Sequence, residues 1–215
     1  MQSWAEFFDE VTQAQLQCGR SNAAIEVIPI SKRQAPGQIE AALAQKSFPQ
    51  KLGENYLFEL ESKKKLFATK HLPIEWHFVG ALQSRKIARI AQVADVLHAV
   101  CREIELKMLA EQEHIPLFYI EVNVSGEASK HGFSTGELGR TLEQLKAFDR
   151  LDVNGLMTMA PLFDRAEMTR PIFATLAELA GRFGLKELSM GMSNDFEIAI
   201  EEGATQIRVG SALFE

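Results

Sequence analysis

Cysteine is scarce: the 215-residue chain has two, Cys18 and Cys101. They lack CxxC spacing and histidines at metal-ligand spacing, so neither a disulfide scaffold nor a metal site is expected. Two unpaired cysteines suit a reducing compartment. No apolar stretch reaches the roughly 20 residues of a membrane-spanning helix. The N-terminus, Met1-Gln2-Ser3-Trp4-Ala5-Glu6, has no basic segment followed by an apolar run, so no signal peptide is read. A cytoplasmic protein with no membrane partner is the expectation. Positive charge is also short, with 23 Lys and Arg against 29 Asp and Glu and a net charge of −6. Without a basic patch, a nucleic-acid partner is not expected. The basic run Lys63-Lys64-Lys65 lies in a helical stretch and reads as a solvated face. Neither G-x-G-x-x-G nor the phosphate-binding P-loop occurs, which argues against dinucleotide and nucleotide-triphosphate folds. No paired carboxylates point to glycosidase or metal chemistry.

What the chain does have is alternation. Strand-like runs fall at 25–30, 51–53, 75–80, 95–100, 117–124, 153–159, 187–190 and 206–209. Helix-like stretches lie between them, at 36–46, 56–69, 84–93, 103–113, 134–148, 167–183 and 195–202. Pro36 and Pro171 sit near helix starts, where proline is tolerated. Ser134 with Glu137 has capping-box spacing, and Ser193-Asn194-Asp195 is a second helix start. Strands separated by helices imply a parallel sheet with right-handed crossovers. Eight such units predict an α/β protein, a single (β/α)8 TIM-like barrel forming one domain over residues 1–215. The sequence runs only five residues past Gly210, so no full eighth helix is expected. The amphipathic segment Trp4–Gln17 is expected to cover the position that helix would fill.

In such barrels chemistry collects at the C-terminal ends of the strands. Those ends carry Ser31-Lys32, Gly53-Glu54-Asn55-Tyr56, His77 with Gly80, Asn123, Met157-Thr158-Met159, Gly191-Met192-Ser193, and Arg208 with Gly210-Ser211. Lys32 is the first candidate. A desolvated lysine amine there is suited to Schiff-base formation, and the alternative is an ordinary solvated loop lysine. Phosphate sites in these barrels form from the loops after the seventh and eighth strands. Gly191-Met192-Ser193 and Gly210-Ser211 occupy those places, and their small residues let backbone N–H groups approach an anion. His77, taken on its own, reads as a satisfied core histidine. His71, His98, His114 and His131 form no constellation.

The segments Gly53-Glu54-Asn55-Tyr56, Glu75 to Ser84, Val122 to Glu127, Gly155-Leu156-Met157-Thr158, Leu188 to Phe196 and Ile207 to Phe214 stand in the order found in a known group. The chain resembles the pyridoxal-phosphate homeostasis proteins, themselves similar to the barrel domain of alanine racemase. The resemblance spans nearly the whole chain. It departs from the group's usual pattern at 33–52, at Ala81 and at Asn194. It implies pyridoxal 5'-phosphate (PLP) held through an imine to Lys32, with phosphate contacts from Ser193, Gly210 and Ser211. It implies Arg208 near the pyridine nitrogen and Asn55 and His77 around the ring. It also implies a non-enzymatic, monomeric carrier or regulator of vitamin B6 that keeps PLP in balance, with PLP-dependent apo-enzymes as partners. The alternatives are a weak PLP-dependent racemase or decarboxylase, and a class I aldolase using Lys32 without PLP. A racemase needs a second acid/base on the opposite face of the cofactor. In alanine racemase that is a tyrosine from an extra β domain, and this chain, ending at Glu215, is expected to lack it.

Overall fold

The computed structural model describes residues 3–21, 24–210 and 213–214. Among these, the strands are β1 (Glu26–Pro29), β2 (Lys51–Glu54), β3 (Glu75–Phe78), β4 (Val96–Val100), β5 (Leu117–Asn123), β6 (Phe133–Ser134), β7 (Val153–Met157), β8 (Glu187–Met192) and β9 (Gln206–Val209). The helices are α1 (Trp4–Gln17), α2 (Pro36–Leu43), α3 (Leu57–Thr69), α4 (Ile87–Val93), α5 (Glu103–Ala110), α6 (Leu138–Leu145), α7 (Arg170–Phe183) and α8 (Phe196–Glu201). Single 3-10 turns precede α4 at Ser84–Lys86 and α7 at Ala166–Thr169.

The strands run in the order β1-β9-β8-β7-β5-β4-β3-β2, and neighbours are parallel. The ring closes between β2 and β1 through one bridge, Ile30 to Gly53, with the Ser31 N–H donating to the Gly53 carbonyl at 2.9 Å. Glycine at that seam leaves room for the Ile30 side chain. A Cβ on Gly53 would lie 2.3 Å from Ile30 Cδ1. The result is the expected (β/α)8 barrel. Strands buried on both faces read as continuous apolar runs, and β4 is buried along its whole length. The apolar core fills the layer between strands and helices, with Leu52, Leu60, Leu97, Phe118 and Ile207 fully enclosed.

The N-terminal helix has the bounds read from the sequence. Its capping box is complete: Glu6 N–H donates to Ser3 Oγ at 3.2 Å, and Ser3 N–H donates to Glu6 Oε2 at 2.7 Å. It buries Trp4, Phe7, Val11 and Ala14. The Trp4 ring packs on Phe48 and the Phe7 ring on Phe196, both at 5.0 Å. Beyond the helix, Arg20 Nη1 donates to the carbonyls of Ile200 and Ala204. No α-helix follows β9 among the described residues. So α1 lies beside α8, with Phe48 on its other side.

Two expectations need correction. The run Lys63-Lys64-Lys65 is not a uniformly solvated face. Positions 60, 63 and 67 share one stripe of α3, as helical spacing dictates, and Leu60, Lys63 and Phe67 are all buried. Lys63 Nζ donates to the fully buried Glu54 carboxylate at 2.5 Å, to the Ser31 carbonyl at 2.6 Å and to Glu59 at 3.0 Å. Lys64 reaches the Val93 carbonyl, and Lys65 alone is exposed. The capping box at Ser134 and Glu137 forms, but it closes a turn one residue before α6, which starts at Leu138. No helix among the described residues is long and apolar enough to cross a membrane.

Candidate functional site

A cavity of about 730 Å³ opens at the C-terminal ends of the strands. Five of the seven residues singled out from the sequence line it: Lys32, Asn55, Ser193, Arg208 and Gly210. Ser211 lies outside the described residues, and His77 is not on the wall.

Lys32 stands three residues beyond the end of β1, after the Ile30 bridge and Ser31. Its two neighbours are anchored. The Ser31 carbonyl accepts from Lys63, and the Ser31 hydroxyl donates to Glu54 Oε1 at 2.7 Å. Arg33 takes a left-handed φ of 61°, unusual for a residue with a side chain, and its N–H donates to Glu59 Oε2 at 2.8 Å. The direction in which Lys32 leaves the strand is thereby fixed from both sides. The side chain itself is exposed at the cavity mouth. The desolvated lysine expected from the sequence is therefore not what the protein alone supplies.

Asn55 follows β2. Its Oδ1 is buried and has no hydrogen-bond partner. Such an orphaned acceptor carries a desolvation cost, of about 1–3 kcal/mol, unless something donates to it. Arg208, the third residue of β9, is buried. Its Nη1 donates to Ser189 Oγ at 2.5 Å and its Nη2 to the Thr158 carbonyl at 3.0 Å. Burial pulls its pKa down to about 10, against the attraction of Asp195 and Glu121. It remains a cation at neutral pH.

The last two loops meet as expected: the Gly210 N–H donates to Ser193 Oγ at 3.3 Å. The helix start falls at the last residue of the segment read as one, Asp195, which is its N-cap. The α8 helix begins at Phe196, and the turn before it is closed by Asp195, whose Oδ1 accepts from the Met192 N–H at 2.6 Å. Gly191 makes the turn possible with φ 91° and no Cβ, since one would sit 2.5 Å from Ala199 Cβ. The Met192 amide is thus already committed, and burial raises the Asp195 carboxyl above its ordinary value.

His77 is fully buried inside the barrel, with Nε2 2.8 Å from Glu75 Oε1 and Nδ1 2.9 Å from His98 Nε2. His98 Nδ1 is 2.8 Å from Ser189 Oγ, and its ring stacks on Tyr119. His98 therefore does belong to a constellation, contrary to the sequence reading. A histidine inside the apolar run Val96-Leu97-His98-Ala99-Val100 was the available signal. The absence of a G-x-S-x-G pattern, expected from the sequence, is corrected: Gly132-Phe133-Ser134-Thr135-Gly136 has the spacing of a hydrolase nucleophile. Here the exposed Ser134 hydroxyl donates to Glu137 at 2.6 Å, a turn-closing role. No group of His, Cys, Asp or Glu among the described residues is arranged to hold a metal ion.

A parallel barrel with a lysine after its first strand and an arginine on its last defines a class. The family described as alanine racemase, N-terminal domain, matches residues 13–215. Within that class the chain belongs to the pyridoxal phosphate homeostasis protein family. It is 38% identical to the Pseudomonas aeruginosa member, over 95% of this chain and 90% of that protein. It is 36% identical to the Vibrio cholerae member, over 95% of this chain and 91% of that one. The structure of PipY from Synechococcus elongatus with PLP bound is similar with a TM-score of 0.73 at 31% identity, over 94% of this chain and 98% of PipY.

Proposed function

We propose that the chain binds PLP in the strand-end cavity, with Lys32 as the point of covalent attachment, and keeps this cofactor in balance rather than turning over amino acids. The observation that carries the reading is the meeting of Lys32, Asn55, Arg208, Ser193 and Gly210 on one cavity. PLP supplies an aldehyde that a lysine amine can capture, a ring nitrogen and a phosphate. The residues present fit those groups. Lys32 Nζ is the accessible nucleophile at the mouth. Asn55 offers a buried acceptor that lacks a partner. Arg208 offers donors only, so it holds a ring nitrogen as an unprotonated acceptor. The Gly210 N–H and Ser193 hydroxyl hold each other at a long 3.3 Å, a contact readily exchanged for a phosphate oxygen.

The same residues support a non-catalytic role. An arginine at the ring nitrogen leaves the ring a weak electron sink, where a carboxylate would keep it protonated. Of the two tyrosines, Tyr56 is exposed and Tyr119 is sealed inside the barrel, and neither lines the cavity. No tyrosine stands across from Lys32 as a second acid/base. We further propose a monomeric carrier that passes the cofactor to apo-enzymes.

The test is the visible spectrum of purified protein before and after borohydride. Wild type is expected to be yellow and reducible, and Lys32→Ala colourless. A Lys32→Ala protein as yellow and as reducible as wild type would sink the reading. The phosphate loops have their own test. A hydrogen bond to a charged acceptor is worth about 1.5–3 kcal/mol, so Ser193→Ala should weaken PLP binding by roughly tenfold or more. Wild type should hold pyridoxal, which lacks the phosphate, far more weakly than PLP. Equal affinity for the two would mean that the phosphate does not sit at Ser193 and Gly210.

A further inference from the structure

A buried row of polar side chains crosses the barrel interior from Arg208 to Glu75, and the arginine, which can only donate, sets the sense of its first bond. Arginine has donors and no acceptor. Ser189 Oγ, 2.5 Å from Arg208 Nη1, therefore accepts from it. The serine's own proton is then free for its other neighbour, His98 Nδ1 at 2.8 Å. Burial above all, with the Arg208 guanidinium beyond Ser189, holds His98 well below its ordinary pKa, so the ring is neutral. A neutral ring that accepts at Nδ1 carries its proton on Nε2. That proton points to His77 Nδ1 at 2.9 Å. His77 in turn carries its proton on Nε2 and donates to Glu75 Oε1 at 2.8 Å. The bond from His77 holds the Glu75 carboxyl down at about 2, so the chain ends on a carboxylate. The reverse direction would need a second proton on His77, since its Nε2 proton is already committed to that carboxylate.

The far end is anchored as well. Glu75, Lys51, Glu26 and Gln206 each begin a strand. Lys51 bridges Glu26 at 2.7 Å and Glu75 at 3.3 Å, and Gln206 donates to Glu26 at 2.7 Å. This cluster forms the floor opposite the cavity. Tyr119 stacks on His98, and its hydroxyl accepts from Asn154 at 2.6 Å.

We propose that Ser189, His98 and His77 are positioning residues, a one-way hydrogen-bond relay anchored on Glu75 that fixes the Arg208 guanidinium for the ring nitrogen of the cavity ligand. The proposal rests on the PLP reading for its ligand and on the protein alone for its direction. Asp195 and Glu121 also attract the guanidinium. On the barrel side it is held by Ser189 and the Thr158 carbonyl. Ser189 keeps an acceptor lone pair toward Arg208 because its proton is engaged by His98.

Ring-nitrogen chemical shifts from 15N NMR of ligand-free protein test the direction. His98 is expected to be neutral with its proton on Nε2 from about pH 5 to 8. A proton on Nδ1, or a charged ring in that range, overturns the relay whatever the cavity binds. The second arm is PLP titration of wild type, Ser189→Ala and Ser189→Thr. Ser189→Ala should keep covalent capture at Lys32 but bind about tenfold more weakly, with a displaced visible band. Ser189→Thr, which keeps the hydroxyl, should restore both. Wild-type affinity and spectrum in Ser189→Ala overturn the positioning role. Wild type that takes up no PLP overturns the ligand half along with the reading beneath it, while the tautomer result still decides the relay.

Discussion

Removing residues 1–17 is expected to cost the protein its folded barrel, not simply a terminal helix. Trp4, Phe7 and Val11 are each at least 96% buried. Enclosing a large apolar side chain is worth about 1.5–3 kcal/mol, so these three alone represent roughly 5–9 kcal/mol. That is comparable to the whole stability of an ordinary domain, about 5–15 kcal/mol. The loss is compounded, because Phe48 and Phe196, on which the helix rings rest, would face water. The measurement is chemical denaturation together with binding of a hydrophobic dye. The truncated chain should bind the dye strongly and show no cooperative transition near that of the full chain. Coincident transitions would mean that α1 is an ornament rather than part of the wall.

Lys63→Met is the second large effect. The substitution preserves much of the apolar stem but removes the ammonium. Glu54, with no exposed surface, then has no counter-charge, and the Ser31 carbonyl loses its short bond. Breaking a buried pair by removing one partner costs about 3–5 kcal/mol. Even with Lys63 present, burial raises the Glu54 carboxyl above its ordinary value, Lys63 and Ser31 pulling the other way. Without the lysine it moves further up and takes a proton. A carboxyl raised in the folded state binds more protons folded than unfolded, so stability falls as pH rises. The deficit should be smallest below the ordinary carboxyl value of 4.5 and grow above it. Urea denaturation across that range measures it. Adding Glu54→Gln should return part of the loss, since the amide needs no counter-ion. A Lys63→Met protein as stable as wild type at neutral pH would show that the pair is not the buried anchor described here.

The barrel was legible in the sequence because burial on both faces leaves apolar runs at regular intervals. The β9 strand has the limits expected, and β1 is one residue shorter at each end than its apolar run, because ladder bonds and not hydropathy set strand limits. Helix limits were less legible. The stretch read from 134 begins as a helix at Leu138, since the Ser134 and Glu137 side chains close a turn first. Of the candidate site, the placement of Lys32, Arg208, Ser193 and Gly210 on one cavity could be read, because their place at strand ends follows from topology. What could not be read depends on partners distant in sequence. Three successive lysines look alike until α3 is laid against β2 and Glu54. His98 looks like a misplaced polar residue until Ser189, on β8, is brought to it. The two-residue β6 has no sequence pattern of its own and exists by pairing with the end of β5.

The seam between β1 and β2 gives the cavity walls of unequal compliance. Arg208 stands on β9, whose ladder to β1 runs unbroken from Glu26–Gln206 to Pro29–Val209. Lys32 emerges where the ring is held by the single Ile30–Gly53 bridge and the Ser31 amide. Elements with few ladder bonds open at lower free energy than continuous ones. Lys32 is thus mounted at the most sparsely bonded joint of the ring, and the anchors on Ser31 and Arg33 act as its bearings. Strain from a ligand fixed at both ends would be absorbed at that joint, leaving the arginine side undisturbed.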